Sequence, residues 1–359
     1  MKSDVFCVPA DAGESAETLA GKCRAVYLAT GLNDRIEDAD FTALKIHFGE
    51  VRNTGYIKPG WLVGLVGEIR KRTPHAFLTD SNTLYVGDRS NSIDHIRLAW
   101  SHGFTPQALG LPVIIADGLI GHDKYEPRGL RPGVASSAKI ASAILDADVM
   151  VCLSHVTGHV QTGFGAALKN LGMGCASRAG KLDQHSVVHP RVNIKQCRNC
   201  SVCFDFCPAD AIVQEEGHVA IDPAKCTGCG ECLVVCKRGA IKMKWDEDSR
   251  RLQEKVAEYA ALVHRHFKGK AVYLNFLLKI TKDCDCMARD QPRIVPDVGI
   301  LASLDPVAVD TATADLVAKK GGGEDPFRKS YDIDWSHQLS HGEALGLGRR
   351  DYRLVAIGA

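Results

Sequence analysis

Two cysteine runs constrain this chain more than any other stretch. The first reads Cys197-Arg-Asn-Cys200-Ser-Val-Cys203-Phe-Asp-Phe-Cys207-Pro208, and the second Cys226-Thr-Gly-Cys229-Gly-Glu-Cys232-Leu-Val-Val-Cys236. Both have the spacing C-x2-C-x2-C-x3-C. The second repeats the first 29 residues further on and carries Ala211-Ile212 onto Ala240-Ile241 as well. A duplicated four-cysteine run implies two equivalent metal centres.

This is the run of bacterial ferredoxins, and its spacing has a physical reason. Three thiolates two residues apart wrap one face of an iron-sulfur cube, while the fourth points to the other cube. The expected ligand sets are therefore crossed: Cys197, Cys200, Cys203 and Cys236 on one 4Fe-4S cluster, and Cys226, Cys229, Cys232 and Cys207 on the other. Zinc held by C-x2-C pairs is the competing assignment, and it expects four-ligand sets with a longer gap between the pairs. The second run ends Cys236-Lys237, where the first has proline; the ligand count is unaffected.

A two-cluster module takes only about 50 to 60 residues, near the lower limit of what folds alone, so most of the 359 residues belong to something else. Hydrophobic content of 45% with mixed charge suits a globular protein. The net charge of +1 without a basic run argues against nucleic acid as a partner. No apolar stretch reaches the roughly 18 residues of a membrane span. The first thirty residues lack the apolar core of a signal peptide. With eight of the 14 cysteines explained as cluster ligands, a reducing compartment, the cytoplasm of an anaerobic cell, is expected.

The remainder alternates strand and helix patterns. Strands are expected at Val5 to Val8, Phe41 to Phe48, Ala76 to Thr79, Val113 to Ala116, Val149 to Leu153, Ala271 to Ile280 and Val298 to Ala302. Helices are expected at Ser15 to Thr30, Pro59 to Arg72, Ser92 to His102, Ser137 to Leu145, Phe164 to Leu171 and Ser249 to Phe267, with one more led by Asp305-Pro306. This predicts an α/β host with a mostly parallel, doubly wound sheet, interrupted by a small α+β ferredoxin-like insertion. The expected bounds are residues 1–189 and 245–359 for the host and 190–244 for the module. The glycine-rich tail from Gly321 is expected to wrap the surface.

In such sheets ligands bind beyond the carboxyl ends of the strands. Five expected strand ends carry groups that bind metal or move protons: His47 and Glu50; Asp80 and Asn82; Asp117; His155 and His159; and Asp283-Cys284-Asp285-Cys286. Lys169, His155, His159, Asp80 and Asp117 are the candidate catalytic residues. Cys284 and Cys286 with His155 and His159 form a candidate additional metal site, set against the plainer reading of buried thiols at a strand end. A Cys-x-Cys disulfide is not expected, because the geometry demanded of the bridge is restrictive. The segment from Gly158 to Lys169 is glycine-rich and opens a helix, so a small anionic ligand is expected on its amides; Phe164 and Gly165 exclude a P-loop.

The chain resembles the bacterial and archaeal proteins grouped as domain of unknown function 362, in the subgroup with an inserted two-cluster ferredoxin. The resemblance rests on Phe77-Leu-Thr-Asp-Ser-Asn-Thr-Leu-Tyr85, Thr162-Gly-Phe-Gly-Ala-Ala-Leu-Lys-Asn-Leu-Gly-Met-Gly174, the Asp283 to Cys286 tetrad and Val295-Pro-Asp-Val-Gly-Ile300. It implies the inserted clusters and the α/β host, and it supplies no reaction.

The leading expectation is an iron-sulfur redox protein that passes single electrons to or from a site or a redox partner protein at the host domain. Two alternatives stand beside it. One is a metal- or cofactor-dependent enzyme, an oxidoreductase among the options, with its active site at the strand rim. The other is an accessory protein for assembling or activating another metalloenzyme.

Overall fold

The structure, a computed structural model, describes residues 2–85, 87–127, 138–185, 190–207, 209–226, 231–242 and 249–358. Its centre is an eight-stranded sheet. In chain order the strands are β1 (Ser3–Pro9), β2 (Thr42–Ile46), β3 (Ala76–Asp80), β4 (Val113–Ile115), β5 (Val149–His155), β6 (Ala271–Leu277), β7 (Gly299–Ser303) and β8 (Tyr352–Ala356). Across the sheet they run β8-β1-β7-β6-β5-β2-β3-β4. The segment β6-β5-β2-β3-β4 is parallel throughout, and only β7 is antiparallel to both of its neighbours.

Strands buried on both faces need apolar residues at nearly every position. Accordingly β2, β3, β6 and β7 are buried from end to end. Alternate residues of one strand then feed two separate cores: Val149, Val151 and Leu153 face one side, and Met150 and Cys152 the other. Helices α1 (Ala16–Ala29), α2 (Val63–Arg70) and α3 (Ser92–Ser101) cover the first side. On the second lie α4 (Ala167–Gly172), α5 (Arg178–His185), α6 (Ser249–His266), α7 (Pro306–Lys320) and α8 (Ser336–Ala344). Side-chain caps open two of these helices, with Asn91 accepting from the amides of Ile93 and Asp94 and Asp305 from those of Val307 and Ala308. A Cβ on Gly172 would lie 2.2 Å from the carbonyl oxygen of Val256, so glycine is what lets α4 lie against α6.

Three expectations are corrected. The helix expected from Ser137 begins only at Ser142, after Ile140–Ala141 pairs with Lys124–Tyr125; residue 137 lies outside the described residues. The helix expected from Phe164 begins at Ala167, because Thr157–His159 and Gly163–Gly165 first close an antiparallel hairpin. The tail does more than wrap the surface: it contributes α8, buries Phe327, Leu339 and Leu347, and adds β8 in parallel to the edge strand β1. Unpaired edge amides and carbonyls on β1 provide that pairing regardless of apolar pattern, and Arg353 reaches both carboxylate oxygens of Asp4.

The cysteine-rich segment forms a compact unit on the second face. Arg191–Val192 pairs with Lys242–Ile241, Ile212–Glu215 forms a hairpin with His218–Ile221, and short helices span Val202–Asp205 and Glu231–Val235. Its small core of Cys203, Ile212, Val219, Cys232, Leu233 and Ile241 also includes Leu84 and Leu182 of the host. The two parts therefore share a packed apolar contact.

Candidate functional site

A cavity of about 440 Å³ opens at the carboxyl ends of the parallel strands. Lys45 and His47 follow from β2, Asp80 and Ser81 from β3, Ser154 and His155 from β5, and Cys284 to Met287 from the loop after β6. The hairpin and α4 contribute His159 and Lys169, and the α6 residues Leu252 and Val256 complete an apolar side. Of the host-domain candidates, Asp80, His155, His159, Lys169, Cys284 and Cys286 all line it. Asp117 does not. Its carboxylate accepts from the backbone and side-chain amides of Asn82 at 2.9 Å each, which ties two loops together, and burial pushes its pKa up to about 6.

The floor of the cavity is a buried charge network. Lys45 lies 2.9 Å from Asp80 and donates to Asn170 at 2.7 Å. Burial raises the cost of the Asp80 carboxylate, but the Lys45 ammonium together with His95 and His47 outweighs it, and the net pKa lies well below the usual carboxylate range. Asp80 therefore stays ionised and serves as a fixed counter-charge. Arg89 bridges Glu50 at 3.1 Å and Asp80 at 3.5 Å and also donates to the Tyr85 hydroxyl. Lys181 donates to the Ser81 hydroxyl and to the carbonyl of Ala176 at 2.8 Å.

His155 is not an open ligand. One ring nitrogen lies 2.7 Å from the Asp285 carboxylate and the other 2.7 Å from the carbonyl oxygen of Leu278. Both partners accept, so both nitrogens must carry protons. Burial pulls the imidazolium pKa down, yet the Asp285 charge and the two hydrogen bonds win, and the net shift is upward. A doubly protonated ring has no lone pair for a metal, which removes His155 from the metal site. The contribution of this pair to stability is full below the unfolded histidine value near 6.5 and is lost as pH rises through the higher folded value. The stability gap between wild type and His155→Gln, followed by urea denaturation from pH 6 upward, is therefore expected to narrow with pH; a constant gap would rule out a charged His155.

His159 is held differently. Its Nδ1 accepts from the Thr162 amide at 3.1 Å and the Gln161 amide at 3.3 Å, and burial, then Lys169 and His185, keeps its pKa well below the usual histidine range. The ring is neutral, with its proton on Nε2. Lys169 has no carboxylate in salt-bridge contact among the described residues; burial and then Arg89 lower its pKa to about 8. It is the one candidate that keeps both charge and chemical freedom.

Two expectations about ligands change. Cys284 and Cys286 form a disulfide with their Cα atoms 5.3 Å apart, a separation well within the normal range. Bonded sulfurs are not thiolate ligands. Among the described residues no three His, Cys, Asp or Glu side chains gather closely enough to hold a single metal ion. The expected anion site on the amides opening α4 is already filled from within. Asp310 accepts from the amides of Ala167 at 2.9 Å and Leu168 at 2.8 Å, and from Asn275 at 2.7 Å. A carboxylate from α7 thus takes the place reserved for a ligand.

In the module, Cys197, Cys200, Cys203, Cys207, Cys226, Cys232 and Cys236 are outside any disulfide; Cys229 lies outside the described residues. Backbone amides approach three of the sulfurs: Asn199 to Cys197 at 3.5 Å, Ala211 to Cys207 at 3.2 Å and Ala240 to Cys236 at 3.3 Å. The equivalent contacts of Ala211 and Ala240 reflect the internal repeat. The Cys203 pKa is pushed up to about 11 by burial, and the neighbouring thiols that add to the rise are Cys200, Cys236 and Cys197. Clustered reduced cysteines with amide donors fit an iron-sulfur cube, whose thiolates stand further apart than those on one ion.

Sequence reasoning missed Lys45, Tyr85, Arg89 and Lys181. Lys45 had a visible signal, a lysine in the middle of an otherwise apolar strand.

Among the described residues no helix is long and apolar enough to cross a membrane. A stretch of 49 residues is 37% identical to the putative electron transport protein YsaA of Escherichia coli, covering 13% of this chain and 31% of that protein. Another of 69 residues is 35% identical to the pyruvate synthase subunit PorD of Thermotoga maritima, covering 19% of this chain and 70% of that one. Among solved structures, the lactate racemase apoprotein of Thermoanaerobacterium thermosaccharolyticum aligns over 88% of this chain and 58% of its own, with 11% identity and a TM-score of 0.41. The model of the family described as "Domain of unknown function (DUF362)" matches residues 42–315, and the chain belongs to that family.

Proposed function

We propose that this chain is an iron-sulfur electron-transfer protein whose inserted module, residues 190–244, holds two 4Fe-4S clusters and serves a small organic anion bound in the host cavity. One observation carries the link: Leu84 lines the cavity and also packs in the same apolar cluster as Cys203 and Cys232. Module and cavity share a wall. The partial matches to an electron transport protein and to an oxidoreductase subunit support the first half of this reading.

The module would bind one cluster through Cys197, Cys200, Cys203 and Cys236 and the other through Cys226, Cys229, Cys232 and Cys207. When bound, such clusters supply single electrons at low potential. The chain's own contribution is electrostatic. Amides of Asn199, Ala211 and Ala240 donate toward sulfur and stabilise its negative charge. In the cavity Lys45, Arg89, Lys169, Lys181 and charged His155 outnumber Asp80 and Asp285, so the lining favours an anion. Lys169 is the natural anchor, because the other cations already have partners. Its pKa of about 8 also favours a second reading, an enzyme that uses Lys169 as base or nucleophile.

The test is anaerobic iron and sulfide analysis with electron paramagnetic resonance of the reduced protein, before and after titration with small carboxylates and phosphates. About eight iron and eight sulfide are expected. A bound anion is expected to shift the spectrum in wild type and to leave Lys169→Met unchanged. Protein purified anaerobically without iron would sink the proposal.

A further inference from the structure

The Cys284–Cys286 bridge encloses a single residue and lines the cavity. Closing so short a loop removes little freedom from the unfolded chain, so the bridge is a poor stabilising staple. Other contacts hold its loop. The Gly158 amide donates to the Thr281 carbonyl at 2.8 Å, and a Cβ on Gly158 would lie 2.2 Å from the Lys282 carbonyl oxygen, so hairpin and loop are in backbone contact. Arg289 and the Tyr331 hydroxyl both donate to Asp283, and the residue between the two cysteines is fixed by His155. The loop has reason to keep its place whether or not the sulfurs are bonded. Cys286 is half-buried, Cys284 is 8% exposed, and both face a cavity whose lining is rich in cations.

We propose that Cys284 and Cys286 form a two-electron redox group that exchanges with an anionic organic disulfide in this cavity. In one half-reaction the S–S bond breaks, two electrons and two protons are taken up, and two thiols result; the electrons come from a low-potential one-electron donor acting twice. In the other, the dithiol passes two electrons and two protons to the bound disulfide RSSR, which leaves as two RSH while the Cys284–Cys286 bond forms again. The cationic lining stabilises the thiolate that attacks and holds the anionic substrate. This rests on the reading above for one point only, that the module supplies the electrons.

Trypsin releases residues 283–289 as one peptide carrying both cysteines and no other. Holoprotein equilibrated anaerobically over a series of oxidised-to-reduced dithiothreitol ratios, quenched in acid and alkylated, is expected to give this peptide with no label at the oxidising end. At the reducing end it should carry two labels, with a single two-electron transition between them. Two labels at every ratio, or none at any, would overturn the redox pair. Reduced viologen in place of dithiothreitol is expected to give two labels in wild type and none in Cys203→Ala/Cys232→Ala. Equal labelling of both would overturn the module as the source while leaving the pair itself standing. Oxidised glutathione, an anionic disulfide, is expected to remove the label from reduced wild type several-fold faster than from reduced Lys169→Met; equal rates would overturn the cavity as its site.

Discussion

Lys45→Met is expected to destabilise the protein by about 3 to 5 kcal/mol, the usual consequence of removing one partner from a buried ion pair. The side chain is 1% exposed in the middle of the fully buried β2, and Asp80, on the adjacent parallel strand, is 5% exposed. Removing the ammonium leaves the Asp80 carboxylate with the neutral Ser81 amide at 2.9 Å and with Arg89 at 3.5 Å and His95 at 3.7 Å, side-chain contacts both longer than the one lost. The substitution also removes a donor from Asn170, whose amide otherwise holds the Leu153 carbonyl at 2.9 Å. Urea denaturation measures the loss. The double variant Lys45→Met/Asp80→Asn is expected to recover part of it, because no unpaired charge remains. A double variant as unstable as the sum of the two single ones would mean that the residues act independently.

Cys203→Ala/Cys236→Ala is expected to retain about four iron, whereas Cys203→Ala/Cys232→Ala loses nearly all of it. The difference follows from crossed ligand sets. Under the proposed assignment Cys203 and Cys236 would share one cluster although they lie in different runs, so the first pair would damage a single site; the second would take one ligand from each. If each run instead ligated its own cluster, both double variants would lose both clusters. The spacing of the runs motivates the crossed choice, and Cys236, 33 residues away in the chain, is among the thiols that neighbour Cys203. Iron analysis of the anaerobically purified variants reads the outcome directly.

The elements buried on both faces, and the helices with strong caps, were legible because their patterns are local. β2, β3, β5 and β6 announce themselves as apolar runs, and Asn91 and Asp305 mark helix starts by chemistry that acts within three residues. The rim as a place was legible too, since parallel strands must all end on one side. Less legible was what each rim residue does there. His155 looks like a ligand until both of its nitrogens meet acceptors, one of them 130 positions away. The amides opening α4 look like an anion site until Asp310, 143 positions from Ala167, fills them. β8 carries no alternation because its place comes from the exposed edge of β1 rather than from its own side chains.

The cysteine ladder needs only covalent spacing: three thiolates with two residues between each can wrap one cube in almost any compact backbone while the fourth points to another, so the expected cofactor type is written in the order of the residues. Convergence is different. Lys45, Arg89, Lys169 and Lys181 meet around one cavity, and Leu84 joins its wall to the module, because strand register and helix packing bring together residues far apart in the chain. Burial then sets their charges, lowering Lys169 and Lys181 to about 8 while pairing holds Asp80 ionised. Those shifts depend on desolvation and on neighbours that exist only once the sheet is formed.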